Sequence, residues 1–177
     1  MEIEPTAELV VTSADKEVRY YLPKKAARGS KIFASMMEDD EEEERSEIPI
    51  VDENVSKALG KIVEFLKHCV DDPMMEIPTP LPRESPTLRG IVQEWYEEFI
   101  NEAAEDLENL TTLTRAANYL DVPPLLKLCI ARLACILLSA ESPEDMKKLL
   151  NVTEDISPEE ERAIRENNRW IFDFDLN

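Results

Sequence analysis

Residues 116–138 read AANYLDVPPLLKLCIARLACILL, in which two consecutive prolines lead into an almost unbroken apolar run. Pro123 and Pro124 break any preceding helix, yet both fit the first turn of a new one, where amide donors have no intrahelical acceptor. With Asp121 as the cap of that new helix, Asn118, Tyr119, Leu120 and Asp121 become a corner between two helices. From Leu125 to Leu138 the only charged residues are Lys127 and Arg132. Leu125, Leu126, Leu128, Ile130, Leu133, Ile136, Leu137 and Leu138 therefore surround most of the helix, where an ordinary surface helix carries one stripe. Three explanations compete. A membrane span is disfavoured, because the run falls short of about 18 uncharged residues and lacks flanking positive clusters. The helix could instead be the centre of a small core, or bury one side and offer the other to a partner. Periodicity alone does not separate these two.

Working outward from that corner, everything after residue 90 has helical spacing. Trp95 and Phe99 lie four apart on one face, and Asn109 is placed to cap a helix bearing Leu110, Leu113, Ala117 and Leu120. Downstream, Ser142-Pro143-Glu144-Asp145 and Ser157-Pro158-Glu159-Glu160 each put serine at a cap, proline at the first helical position and an acid at the third. The second is a full capping box. Upstream, the prolines of residues 71–90 forbid regular helix and point to a linker or flexible loop. Before it, Asn54 opens a helix whose Val55, Ala58, Leu59, Ile62, Val63, Leu66, Cys69 and Val70 follow the i, i+3, i+4, i+7 pattern. The first fifty residues differ. Apolar runs at 9–11 and 18–22 suggest two strands joined by a tight turn, and a helix interrupted at Gly29 spans Lys24 to Met37. The acidic run of residues 38–47 is expected to be a solvated loop, and residues 48–51 (IPIV) a third strand confined by Pro49 to an edge or an end. Strands mixed with helices, followed by helices alone, define an α/β (α+β) chain.

Composition limits the chemistry. With 39 Asp and Glu against 20 Lys and Arg in 177 residues, the net charge of −19 repels phosphate backbones and anionic membranes, so neither nucleic acid nor a membrane is expected as a partner. The acidic start, MEIEPTAELVV, has no basic and apolar leader pattern, which leaves the cytosol and nucleus as the expected location. Cys69, Cys129 and Cys135 all fall in apolar helical patterns and are expected to be buried thiols. Three glycines, Gly29, Gly60 and Gly90, cannot supply a phosphate-binding or dinucleotide loop. His68 is the single histidine and is expected to be a plain surface residue, out of reach of a triad or a paired-imidazole site. No CxxC spacing suggests zinc, and the acidic run lacks the alternation and central glycine of a calcium loop. No catalytic, cofactor or metal residue is assigned.

The order of these motifs resembles the S-phase kinase-associated adaptor family, whose members link F-box proteins to a cullin in SCF ubiquitin ligases. AANYLD with its LL-initiated apolar helix, SPEDMKKLLNV, SPEEERAIRENNRW, WYEEF at 95–99, IPIVDENVSKALGKIVEFLKHCVDDP, FASMMEDD and LVVTSADKEV carry the resemblance across nearly the whole chain. It implies a BTB/POZ α/β domain over residues 1–122 and a C-terminal F-box-binding helical extension over 123–177. It also implies a noncatalytic adaptor in which Asn118 and Tyr119 face a cullin, Leu126, Ile130 and Leu133 floor an F-box groove, and Trp170 anchors it. A weak homodimer of the free chain belongs to the same expectation. Pro158 becomes a candidate modification site, because in some protist relatives a proline in the matching segment is hydroxylated and glycosylated. A BTB-fold scaffold, or an F-box partner in a kinetochore or trafficking assembly without a cullin, is the alternative role.

Overall fold

The two apolar runs near the start pair as strands. β1 (Glu8–Thr12) and β2 (Arg19–Pro23) are antiparallel, with Leu9 opposite Leu22 and Val11 opposite Tyr20. Ser13 closes the hairpin, its amide donating to the Val18 carbonyl at 2.9 Å and its hydroxyl accepting the Val18 amide at 3.0 Å. The computed structural model describes residues 8–13, 18–38, 45–50, 52–82, 87–153 and 156–172. The expected turn centred on Ala14-Asp15-Lys16 lies outside them.

A third strand, β3 (Arg45–Pro49), runs parallel to β1 in a sheet of order β2-β1-β3. It starts three residues before the expected run at 48–51, inside the stretch assigned to the acidic loop. Among the described residues β3 pairs only with β1, which makes it an edge, where a proline fits at the strand's last position. Residues 39–44 and Val51 lie outside the described set.

The parallel pair requires a crossover, which contains α1 (Lys24–Ala27) and α2 (Lys31–Glu38). The break between them falls at Gly29, as its position suggests. A Cβ there would lie 2.7 Å from Leu66 Cδ2, so the turn is pressed against α3 (Glu53–Asp71) too closely for a side chain. That long helix is capped by Asp52, not by Asn54: the Asp52 carboxylate accepts the amides of Asn54 and Val55 at 2.8 and 2.9 Å. Asp52→Ala is expected to cost about 1 kcal/mol in urea denaturation. Asn54→Ala, which removes no cap, should stay within about 0.5 kcal/mol.

α3 buries Val55, Ala58, Leu59, Ile62, Val63, Phe65 and Leu66, whereas Cys69 and Val70 are only half-buried. His68 departs from the surface reading. It stacks on Trp95 of α4 (Glu94–Ala103) at 3.6 Å between ring centroids, and meets the edge of Tyr96 at 5.2 Å. The polar face of α3 is here covered by aromatics from a helix 26 residues downstream, which helical periodicity cannot foresee. Trp95 and Phe99 do stack along one face of α4, 5.0 Å apart.

Among the described residues of the stretch 72–93 there is no helix and no paired strand of more than one residue, yet the stretch is not a linker. Gln93 donates to the Asp72 carboxylate at 3.1 Å and to the Pro73 carbonyl at 2.8 Å, while its own carbonyl accepts the Met75 amide at 3.0 Å. Tyr96 donates its hydroxyl to the Asp72 carbonyl. Ile77 and Leu88 enter the core. The prolines prevent regular structure as expected, but side-chain anchors and apolar burial tie the segment to the body. Residues 83–86 are outside the described set.

α5 (Leu107–Tyr119) packs against α3 on one side and α6 (Pro123–Leu138) on the other, which makes the core continuous from the sheet to the helical half. Its cap is Asp106, whose carboxylate accepts the Asn109 amide at 2.7 Å; Asn109 itself lies one turn inside the helix. Leu110, Leu113, Ala117 and Leu120 are buried, as their spacing requires. α7 (Pro143–Leu149), α8 (Pro158–Asn167) and α9 (Arg169–Phe172) follow. Both Ser-Pro starts are caps: Ser142 Oγ accepts the Asp145 amide and Ser157 Oγ the Glu160 amide. The Glu160 carboxylate returns the bond to the Ser157 amide at 2.9 Å, completing the expected box.

Candidate partner-binding surfaces

The corner between α5 and α6 is built from backbone geometry. The Asp121 amide donates to the Asn118 carbonyl at 3.2 Å and the Val122 amide to the Ala117 carbonyl at 2.9 Å. With Asp121 at φ 48°, these bonds form a Schellman motif that ends α5. Asp121 therefore closes the helix before it and does not cap the helix after it. The N-cap of α6 is Val122, which makes no side-chain cap bond, and Pro123 and Pro124 occupy the first turn as their chemistry demands.

The turn between α1 and α2 holds this corner in place. Ser30 Oγ donates to the Leu120 carbonyl at 2.5 Å, and the Lys31 amide donates to the Asp121 carbonyl at 3.1 Å. Lys31 Nζ also reaches the Asp121 carboxylate at 3.0 Å. Carbonyls left over at the end of α5 are thus satisfied by residues 90 positions earlier in the chain. Asn118 and Tyr119 project from this fixed end and are exposed, Tyr119 at 55%.

α6 divides its apolar surplus between two directions. Leu125, Leu128, Cys129, Ala131 and Cys135 are buried against the body. Leu126, Leu133 and Ile136 are half-buried, and Ile130 is 54% exposed. Leu126, Ile130 and Leu133, spaced four and three apart, share one helix face. Trp170 is carried by a different helix, α9, and is 64% exposed. Pro158 is exposed at the first position of α8. Neither α7 nor α8 buries a residue, so Met146, Leu149, Ile156 and Ile164 remain exposed apolar groups. A helical segment this rich in uncovered aliphatic side chains is chemically suited to receive another apolar surface.

Local composition does not reveal the cleft beside α6. Residues 77–81, IPTPL, run beside α6 and leave a cleft of about 520 Å3 between them, lined on the α6 side by Lys127, Ile130, Ala131, Ala134, Leu137 and Leu138. Ile77 and Leu81, apolar positions among prolines, were its only signal.

The thiols are poor nucleophiles. Burial pushes Cys129 up to about 12. Burial also raises Cys135, against the opposing pull of Arg132, and raises Cys69 despite its hydrogen bond with Tyr96. Cys69 is half-buried, which corrects its assignment to the core. Among the described residues no cluster of three or more His, Cys, Asp or Glu side chains is placed to hold a metal ion, and no helix is long and apolar enough to cross a membrane. What α6 to α8 present is shape and exposed apolar area.

Residues 7–71 match the family model described as Skp1 family, tetramerisation domain, and residues 123–171 match Skp1 family, dimerisation domain. The S-phase kinase-associated protein 1 homolog of Tetrahymena thermophila is 35% identical over 144 residues, 81% of this chain and 82% of the relative. The chain belongs to the Skp1 family. Other Skp1-family relatives align over nearly the full length. The E3 ubiquitin ligase complex SCF subunit sconC of Emericella nidulans is 34% identical over 166 residues, 93% of this chain and 96% of its own. The SKP1-like protein 16 of Arabidopsis thaliana is 32% identical over 170 residues, 93% and 95% of the two chains. The resemblance read from the motifs holds, and the strand-containing N-terminal part is the POZ-type α/β fold of the Skp1 family.

Proposed function

We propose that this chain is a noncatalytic adaptor of an SCF-type E3 ubiquitin ligase, bridging an F-box substrate receptor to a cullin. The observation that carries the reading is the division of α6: one face completes the core, while the other, with α7 and α8, leaves aliphatic side chains uncovered. On this reading Leu126, Ile130, Leu133 and Trp170 receive the F-box, and Asn118 and Tyr119, one corner away, meet the cullin. Residues 1–122 serve as the cullin-side POZ domain and 123–177 as the F-box side. Adaptor action is geometric: a stiff bridge raises the effective concentration of a bound substrate near the ligase's catalytic end. The Schellman corner, held by Ser30 and Lys31, supplies that stiffness between the two faces. Without an F-box, the same aliphatic face supports weak pairing of two copies. The proposed location is the cytosol and nucleus, and Pro158, exposed at the start of α8, is the proposed modification site.

Affinity purification of the tagged chain from its native cells tests the role. The expected result is a cullin and several F-box proteins in the same eluate. F-box proteins recovered without any cullin would instead establish a role outside cullin ligases, such as a kinetochore or trafficking assembly.

A further inference from the structure

The cleft between residues 77–81 and α6 has two walls of different origin. One is the exposed face of α6, including Ile130 and Leu137; the other is the proline-containing strap. The strap is held at its start by the Gln93 bonds around Asp72 to Met75, and Ile77, 9% exposed, roots it in the core. Proline at 78 and 80 further restricts its backbone. This wall is therefore pre-formed, so a ligand entering the cleft does not have to order it. The lining is almost wholly apolar. Its one charged side chain, Lys127, is exposed and has no ion pair among the described residues. In a chain of net charge −19, an unpaired cation beside an apolar cleft favours an occupant that sets a carboxylate next to a large apolar side chain. A volume of about 520 Å3 suits neighbouring anchors from an amphipathic helix better than one side chain.

We propose that the strap of residues 77–81 is a second wall of the F-box site, and that with Lys127 it selects F-box helices presenting an apolar anchor beside an acidic residue. This rests on the adaptor reading above. Ile130 belongs both to the cleft and to the face assigned to the F-box, so a helix lying along that face passes over the cleft. The strap then acts on partner choice, by accepting or obstructing side chains at one end of the shared groove.

Isothermal titration of the full-length chain against a panel of recombinant F-box domains, some with and some without an acidic residue beside the apolar anchor, tests this. Replacing Pro78, Thr79 and Pro80 by glycine should weaken the tightest domain about tenfold or more and reorder the panel. Lys127→Glu, at an exposed position that spares the fold, should weaken only the acidic-flanked domains, by about tenfold, with the difference shrinking at high salt. Ile130→Glu serves as the reference and should abolish binding throughout. If both the glycine and Lys127 variants leave every affinity within about twofold while Ile130→Glu still abolishes binding, the strap proposal is wrong and the adaptor reading stands. If Ile130→Glu binds every domain normally, the adaptor reading itself fails.

Discussion

Ile130→Glu is expected to abolish F-box capture and leave cullin binding unchanged, whereas Asn118→Lys should impair cullin binding and spare the F-box. Ile130 is 54% exposed in the free chain, so a carboxylate there remains hydrated until a partner arrives. Closing an apolar partner over it removes that water without supplying a counter-charge, at a cost of several kcal/mol. A penalty of about 3 kcal/mol already lowers affinity by more than about a hundredfold. Asn118 is exposed at the end of α5, on the other side of a corner fixed by Ser30 and Lys31, so its replacement touches neither α6 nor the core. Leu126→Glu should also abolish F-box binding, but Leu126 packs partly on the core, so it lowers stability as well. Trp170→Ala, removing an exposed aromatic on a separate helix, is expected to cost about 2 kcal/mol in the same titration. Binding measured separately for an F-box domain and for a cullin N-terminal domain decides the matter. Equal losses for both partners in either single variant would show that the two faces have been assigned wrongly.

How far the sequence determined these surfaces depends on the range of the interaction involved. The Ser157-Glu160 box, the serine cap at 142 and the proline start of α6 are local, and each is where four consecutive residues put it. Local sequence does not assign Asp52, Asp106 and Asp121 to their helix boundaries, because several polar residues near each boundary could serve and only tertiary packing decides where the helix begins or ends. Asp121 shows this best: its backbone closes α5, while its carboxylate is taken by Lys31, 90 positions earlier in the chain. The α6 face was readable as surplus apolarity, but not the direction of that surplus, since burial depends on α5 and on residues 77–81. The strap was hidden for the opposite reason. Prolines correctly excluded helix there, yet nothing in local composition indicated that Gln93 would tie the segment down. The charge run into β3 likewise conceals a backbone that pairs with β1.

The most destabilising single truncation expected is Phe65→Ala. Phe65 is fully buried, meets the Tyr96 ring edge-on at 5.6 Å and lies against Phe99 at the same distance, so it joins α3 to α4. Its replacement by alanine forfeits the transfer of a phenyl ring and leaves a cavity between two helices that other contacts hold apart, at about 3–5 kcal/mol. Phe65→Leu, which keeps much of the volume, should cost less than about 1.5 kcal/mol. Urea denaturation followed by tryptophan fluorescence reports the loss directly, because Trp95 stacks between His68 and Phe99 beside the site. The functional signature should differ from that of Ile130→Glu. Core loosening at α3 and α4 reaches the corner and α6 through the same continuous core, so both partners should weaken together, and an F-box domain in excess should raise the midpoint of the variant by mass action. A loss of stability within about 1 kcal/mol for Phe65→Ala would mean that α4 collapses onto the vacated space, and that the aromatic cluster does not brace the two binding faces.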